Sequence, residues 1–142
     1  MIDRMALCAV AFWALGGVAM AGPFAATWAA FEQRCLIPFE GMLAPRVDDL
    51  VPVPGRADAY QLSRGAVLVV GGADDLGTRS CAVEGVGLQK GYRGWTARSL
   101  QTGDYRETGT PGLWMSHEWI EPRIIVEKTP GAIRVVESRR EA

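Results

Sequence analysis

Hydrophobic residues recur at helical spacing in the stretch that follows residue 22. The positions that repeat along one face of an α-helix are Phe24, Trp28, Phe31 and Cys35. Pro23 suits the first turn of a helix, and Pro38 predicts that the helix ends near Leu36 because proline has no amide hydrogen for a helix interior. We therefore expect an N-terminal helix whose aromatic face packs into the core.

Strand patterns replace the helical spacing from residue 59 onward. Residues 59–63 and 66–70 each predict a strand, and the second run is apolar on both faces. Such a run predicts a central strand that is covered on both sides. Residues 79–84 alternate in polarity, which directs Cys81 and Val83 towards the core.

The second half of the chain predicts another helix and then three strands. Residues 88–100 carry hydrophobic side chains at helical spacing, although Gly91 and Gly94 each lower helix stability by about 1 kcal/mol relative to alanine. Residues 101–111 are rich in Gly, Thr and Asp, which is typical of a loop. The predicted strands are residues 113–119, residues 124–128 and a strand that begins at Ile133.

The last two of these strands predict a hairpin with a defined register. Residues 129–132 have proline and glycine where a type II turn requires them. If Lys128 pairs with Ile133, Glu127 lies opposite Arg134, and the β-branched residues of the two strands also meet. Opposite charges and matched side chains in one register support the hairpin.

These elements together predict an α+β fold. We expect the N-terminal helix and a second short helix to pack on a mostly antiparallel sheet of about five or six strands. Residues 22–142 are predicted to form one domain, since a chain of 142 residues is too short for two domains of ordinary size.

Residues 1–21 differ from the rest of the chain and predict a cleaved export signal. Residues 5–21 contain no charge, and Ala19 and Ala21 give the small-x-small pattern that signal peptidase requires before Gly22. The alternative is an uncleaved membrane anchor, but this run is short for roughly 30 Å of hydrocarbon. We expect a periplasmic or secreted protein with no membrane segment after cleavage.

Export gives a specific interpretation of the cysteines. Cys8 would be lost with the signal, which leaves Cys35 and Cys81 as one possible pair in an oxidising compartment. The predicted disulfide closes a loop that stabilises the fold by about 4 kcal/mol as an upper estimate. A redox-active pair would need closer spacing, such as C-x-x-C.

The charge balance argues against nucleic acid as a partner. Fifteen Lys and Arg residues against sixteen Asp and Glu residues give a formal net charge of −1. A chain without excess positive charge has no general attraction to a phosphate backbone.

One segment nevertheless combines basic and aromatic side chains. We predict a binding surface there, formed by Arg93, Trp95, Arg98 and Tyr105, because cations and aromatic rings together bind anionic or stacked ligands. In an exported protein the partner would be an envelope protein or a glycan. The alternative is an ordinary solvated helix face with a buried tryptophan.

The sequence contains no recognisable catalytic, cofactor or metal motif. His117 is the only histidine, and its neighbours Ser116 and Glu118 would point to the opposite face of a strand, so the three cannot form a triad. The expected function is therefore an exported binding or structural module of undetermined oligomeric state. The alternative is a small hydrolase or lyase that uses His117 with a carboxylate.

Overall fold

The computed structural model describes residues 25–72, 78–117 and 123–138. The N-terminal helix consists of three consecutive parts, which are α1 (Ala25–Phe31), a π-helical turn (Glu32–Leu36) and α2 (Ile37–Glu40). A later helix, α3, spans Gln89–Thr102. The predicted export signal lies outside the described residues, and none of the described helices is both long and apolar enough to cross a membrane.

Seven strands form one antiparallel sheet among the described residues. The strands are β1 (Ala59–Gln61), β2 (Val67–Gly71), β3 (Arg79–Glu84), β4 (Tyr105–Glu107), β5 (Leu113–Ser116), β6 (Arg123–Thr129) and β7 (Ala132–Ser138). Their order across the sheet is β1-β2-β3-β7-β6-β5-β4. The last strand in the chain therefore joins the two halves by pairing with β3. The α+β class is confirmed, with one or two more strands than expected.

The predicted hairpin is confirmed in its register. Lys128 pairs with Ile133 and Glu127 with Arg134. Gly131 has a φ of 75°, the left-handed value that the third residue of a type II turn requires.

One face of the sheet carries the core. The fully buried side chains from the central strands lie on the face that the helices cover; they are Leu68, Cys81, Val83, Ile133, Val135, Ile124 and Val126. The other face, here called the open face, carries alternate residues such as Val69, Val136 and Ile125, all of which are only half-buried. The molecule is therefore a two-layer arrangement of helices on a sheet.

The prediction that β2 is covered on both sides is wrong. β2 lies second from one edge of the sheet, and of its valines and leucine only Leu68 is buried. Val67 and Val69 face the open side. Valine is favoured in strands for its backbone preference as well as for burial, so an all-apolar run does not by itself place a strand in the middle of a fold.

The N-terminal helix also continues past the predicted end at Leu36. In an α-helix the carbonyl of Arg34 would accept a hydrogen bond from residue 38, but Pro38 has no amide hydrogen. The chain widens here into a π-turn, in which Ile37 donates to the Glu32 oxygen. The Arg34 carbonyl accepts a bond from the Arg46 amide instead, at 3.0 Å. Proline thus changes the helix type without ending the helix.

Two contacts fix the N-terminal helix to the rest of the fold. The predicted disulfide between Cys35 and Cys81 is present and links the π-turn to β3, with the two Cα atoms 5.4 Å apart. Gly91 of α3 lies directly against Trp28 of α1, and a side chain at residue 91 would overlap the Trp28 ring. The glycine that weakens α3 locally is therefore the residue that lets the two helices approach each other.

Candidate functional site

A cleft opens where the N-terminal helix, α3 and the start of β4 meet. Its volume is about 270 Å³. The charged and hydroxyl-bearing side chains that line it are Glu32, Glu40, Arg98, Ser99, Thr102, Asp104 and Tyr105. Because three of these are carboxylates and one is a cation, we call it the acidic cleft.

The turn after α3 positions two of these residues. Gly103 has a φ of 74°, and its amide bonds to the Ser99 oxygen at 2.8 Å, which ends the helix in a left-handed cap. Asp104 follows at once, and its carbonyl accepts a bond from the His117 amide at 2.8 Å. The β4–β5 pairing therefore holds Asp104 and Tyr105 in the lining of the acidic cleft, where Asp104 is exposed and Tyr105 is buried.

Glu32 is the cleft carboxylate that has an ion-pair partner among the described residues. Its carboxylate accepts a bond from the Trp28 indole nitrogen at 2.8 Å and one from Arg98 at 3.5 Å. Among the described residues, neither Glu40 nor Asp104 forms an ion pair. The charge that remains in the cleft is therefore negative.

Tyr105 is buried beneath the cleft, and its hydroxyl lacks a partner of normal hydrogen-bond geometry among the described residues. The residue is 4 % exposed, and its ring packs on Trp95 with the centroids 4.9 Å apart. Its hydroxyl oxygen is buried and has no hydrogen-bond partner within the part of the chain that the structure describes. Buried polar atoms are nearly always hydrogen-bonded, so an unsatisfied hydroxyl that lines a cleft is unusual.

The surroundings perturb both Glu40 and Tyr105. Desolvation raises the pKa of Glu40, the nearby Tyr105 hydroxyl acts against this, and the negative charges of Asp104 and Glu32 raise the pKa further. Burial and then the negative charge of Glu40 raise the pKa of Tyr105, which keeps its hydroxyl protonated. The Glu40 carboxylate acts on the hydroxyl through its charge and through hydrogen bonding, although this contact falls short of normal hydrogen-bond geometry.

The structure brings three of the four predicted binding residues together. Trp95, Arg98 and Tyr105 all line the acidic cleft, whereas Arg93 lies exposed elsewhere on α3. Trp95 and Tyr105 are 5 % and 4 % exposed, so their rings form part of the core and do not offer a free stacking surface. What this group contributes to the cleft is the exposed guanidinium of Arg98 and the buried hydroxyl of Tyr105.

No pattern in the sequence indicates Glu40 or Asp104 as site residues. Glu40 follows Pro38, where the helix was expected to have ended, and Asp104 lies in a segment predicted to be a loop. The polar residues just before the short strand β4 resembled ordinary loop composition. Only the fold brings them beside Tyr105.

A larger depression elsewhere is less suited to a ligand. It has a volume of about 360 Å³ and is lined by Arg34, Arg46, Asp48 and Asp49, with Gln33. Arg34 donates two bonds to Asp49 at 2.7 and 2.9 Å, and this pairing lowers the pKa of Asp49 to about 2. Asp48 and Asp49 lie in an exposed turn, and the Asp49 carboxylate holds this loop to the π-turn.

The alternative site at His117 gains no support from the cleft. His117 is half-buried just after β5, and it is not among the residues that line the acidic cleft. Catalysis by His117 with a carboxylate stays a prediction. Within the described ranges, no group of three His, Cys, Asp or Glu side chains is placed to hold a metal ion.

Comparison with known proteins provides no independent assignment. No protein-family model matches this chain, and no curated protein and no solved structure is significantly similar to it.

Proposed function

We propose that this chain is an exported, non-enzymatic binding module that engages a component of the cell envelope, and that it does so through the acidic cleft. The observation that carries this proposal is the buried hydroxyl of Tyr105, a residue of the cleft lining, which has no partner of normal hydrogen-bond geometry among the described residues. A group left unsatisfied in the free protein becomes favourable when a ligand supplies the missing hydrogen bond.

The packing of aromatic side chains around Tyr105 is consistent with a binding role. Tyr105 is held by packing on Trp95, and Trp95 in turn contacts Trp28 and Trp114 with centroid distances of 6.5 and 5.6 Å. Trp114 donates a hydrogen bond from its indole nitrogen to the Tyr92 hydroxyl at 2.8 Å. A rigid aromatic cluster beneath a polar cleft keeps its groups in place before the ligand arrives, which lowers the entropic cost of binding.

The test is site-specific photocrosslinking in the cells that make the protein. A benzophenone amino acid replaces Thr102, which is exposed at the rim of the cleft. The matched control replaces Arg134, which is exposed on the open face of the sheet. We expect a discrete crosslinked species from residue 102 and none from residue 134. Crosslinks from residue 134 alone would place binding on the open face and contradict the proposal.

A further inference from the structure

The acidic cleft has an excess of negatively charged acceptors, with three carboxylates and one guanidinium in its lining. Glu40 and Asp104 carry carboxylate oxygens, which only accept hydrogen bonds when ionised, and the guanidinium in the described lining, that of Arg98, contacts Glu32. The Tyr105 oxygen can accept as well as donate. A ligand that complements this set must bring positive charge and several N–H donors.

The three acceptor groups are close neighbours. The negative charges of Glu40 and Asp104 both act on the Tyr105 hydroxyl, and the charge of Asp104 also acts on Glu40. Tyr105 follows Asp104 directly in the chain, and Glu40 reaches the same cleft from the end of α2.

We propose that the acidic cleft binds a primary ammonium group, held by the carboxylates of Glu40 and Asp104 and by the hydroxyl of Tyr105. This inference rests on the proposed binding function and names its ligand chemistry. An ammonium is a compact charge with three N–H donors, which matches three acceptors around one point. The ammonium comes either from a lysine side chain of a partner or from a free aliphatic amine.

The size of the cleft and its remaining walls agree with such a ligand. A volume of about 270 Å³ admits an ammonium group with a short aliphatic stem. Leu36 and Trp95 add apolar surface to the lining, against which methylene groups can pack. A metal ion is a poorer match, since the described His, Cys, Asp and Glu side chains form no group of three suited to one.

The experiment is an NMR titration of the folded protein with n-butylammonium chloride. Tetramethylammonium chloride and sodium chloride at equal ionic strength serve as controls, because they carry positive charge but no N–H donors. We expect saturable shifts of the Trp95 indole and Tyr105 signals with butylammonium alone. Equal binding of tetramethylammonium, or no saturable shift, would overturn the inference.

Variants separate the ligand contacts from general charge effects. Glu40→Gln combined with Asp104→Asn should weaken butylammonium binding about tenfold or more, since each charge-assisted hydrogen bond to the ligand is strong. Tyr105→Phe should weaken it about fivefold while the protein stays folded, because the substitution removes only an unsatisfied hydroxyl. Glu84→Gln, on the open face, is the matched control and should bind as the original protein does. Unchanged affinity in the double variant would overturn the inference.

A comparison of ligands then identifies the source of the amine. Trilysine binding far more tightly than butylammonium assigns the site to a lysine of a partner, whereas equal affinity assigns it to a free amine. Both results support an ammonium site.

The outcome also separates this inference from the function on which it rests. Crosslinks through residue 102 without amine binding would overturn the ammonium ligand and leave the binding module intact. Amine binding without any crosslink would retain the ammonium site and contradict the envelope partner.

Discussion

The two faces of the sheet place alternate residues of the same strand in different environments. On the helix-covered face, β7 places Val135 and Glu137 in complete burial, and Glu137 accepts two bonds from Arg79, at 2.8 and 2.5 Å. On the open face, the same strand carries Arg134, which meets Glu127 at 3.6 Å with both side chains substantially exposed. The helix layer, and not the strand sequence alone, decides whether a charge pair lies in a dry or a wet environment.

Arg79, the basic member of the buried pair, also contacts the helix layer. The Arg79 guanidinium stacks 4.5 Å from the centre of the Phe39 ring and donates to the Leu43 carbonyl at 2.8 Å. Arg79 therefore connects β3, β7 and the end of α2. An ion pair with this many fixed neighbours is costly to break because the remaining Arg79 charge, with its side chain only 19 % exposed, has little water to compensate it.

Removing one partner from each ion pair should give the largest difference in stability between the two faces. Glu137→Met should lower the free energy of unfolding by about 3–5 kcal/mol, since it leaves the Arg79 charge without its carboxylate. Glu127→Met on the open face should cost at most about 1 kcal/mol. Chemical denaturation of both variants measures the difference.

A double variant identifies charge as the cause. Arg79→Met with Glu137→Met should be less destabilised than Glu137→Met alone, because no unpaired charge then remains in the interior. Equal losses for Glu137→Met and Glu127→Met would show that the two faces do not differ as described.

Adjacent valines on β7 give a smaller contrast with nearly constant volume. Val135→Thr places a hydroxyl in a fully buried position and should lower the free energy of unfolding by about 1–3 kcal/mol. Val136→Thr places the same hydroxyl on the half-buried open face, where the change should stay within about 0.5 kcal/mol. A large effect at residue 136 would mean that something covers the open face in solution.

The helix layer that creates this contrast depends on Gly91. Gly91→Ala should lower the free energy of unfolding by about 1–3 kcal/mol, because the added methyl group would meet the Trp28 ring and force the helices apart. Gly94→Ala, one turn further along α3, has room for the methyl group and should raise stability by up to about 1 kcal/mol. Thermal unfolding of the two variants provides the test, and a neutral Gly91→Ala would show that this close approach is not required.

Much of the fold could be predicted because it follows from local patterns in the sequence. The disulfide followed from two cysteines on predicted inward faces, and the register of the β6–β7 hairpin followed from its turn residues and from the pairing of Glu127 with Arg134. These features depend on nearby residues or on a single possible pairing.

The rest depended on contacts between distant segments. β4 has only three residues, and the pattern of three residues is too short to distinguish a strand from a loop. The position of β2 near an edge was set by which strand pairs with β7, which no local pattern encodes. The acidic cleft was missed for the same reason, since Glu40 and Asp104 are distant in the chain.

The π-turn at Glu32–Leu36 divides the N-terminal helix into two halves whose side chains follow different rotational registers. The first half directs Trp28 and Phe31 towards the core beside α3, while the second directs Phe39 under Arg79 and brings Glu40 to the cleft. One residue fewer in the turn would rotate everything after it by about 100°. The length of this single turn therefore determines the direction in which Glu40 points. An insertion or deletion here would move Glu40 away from Tyr105 without altering either residue.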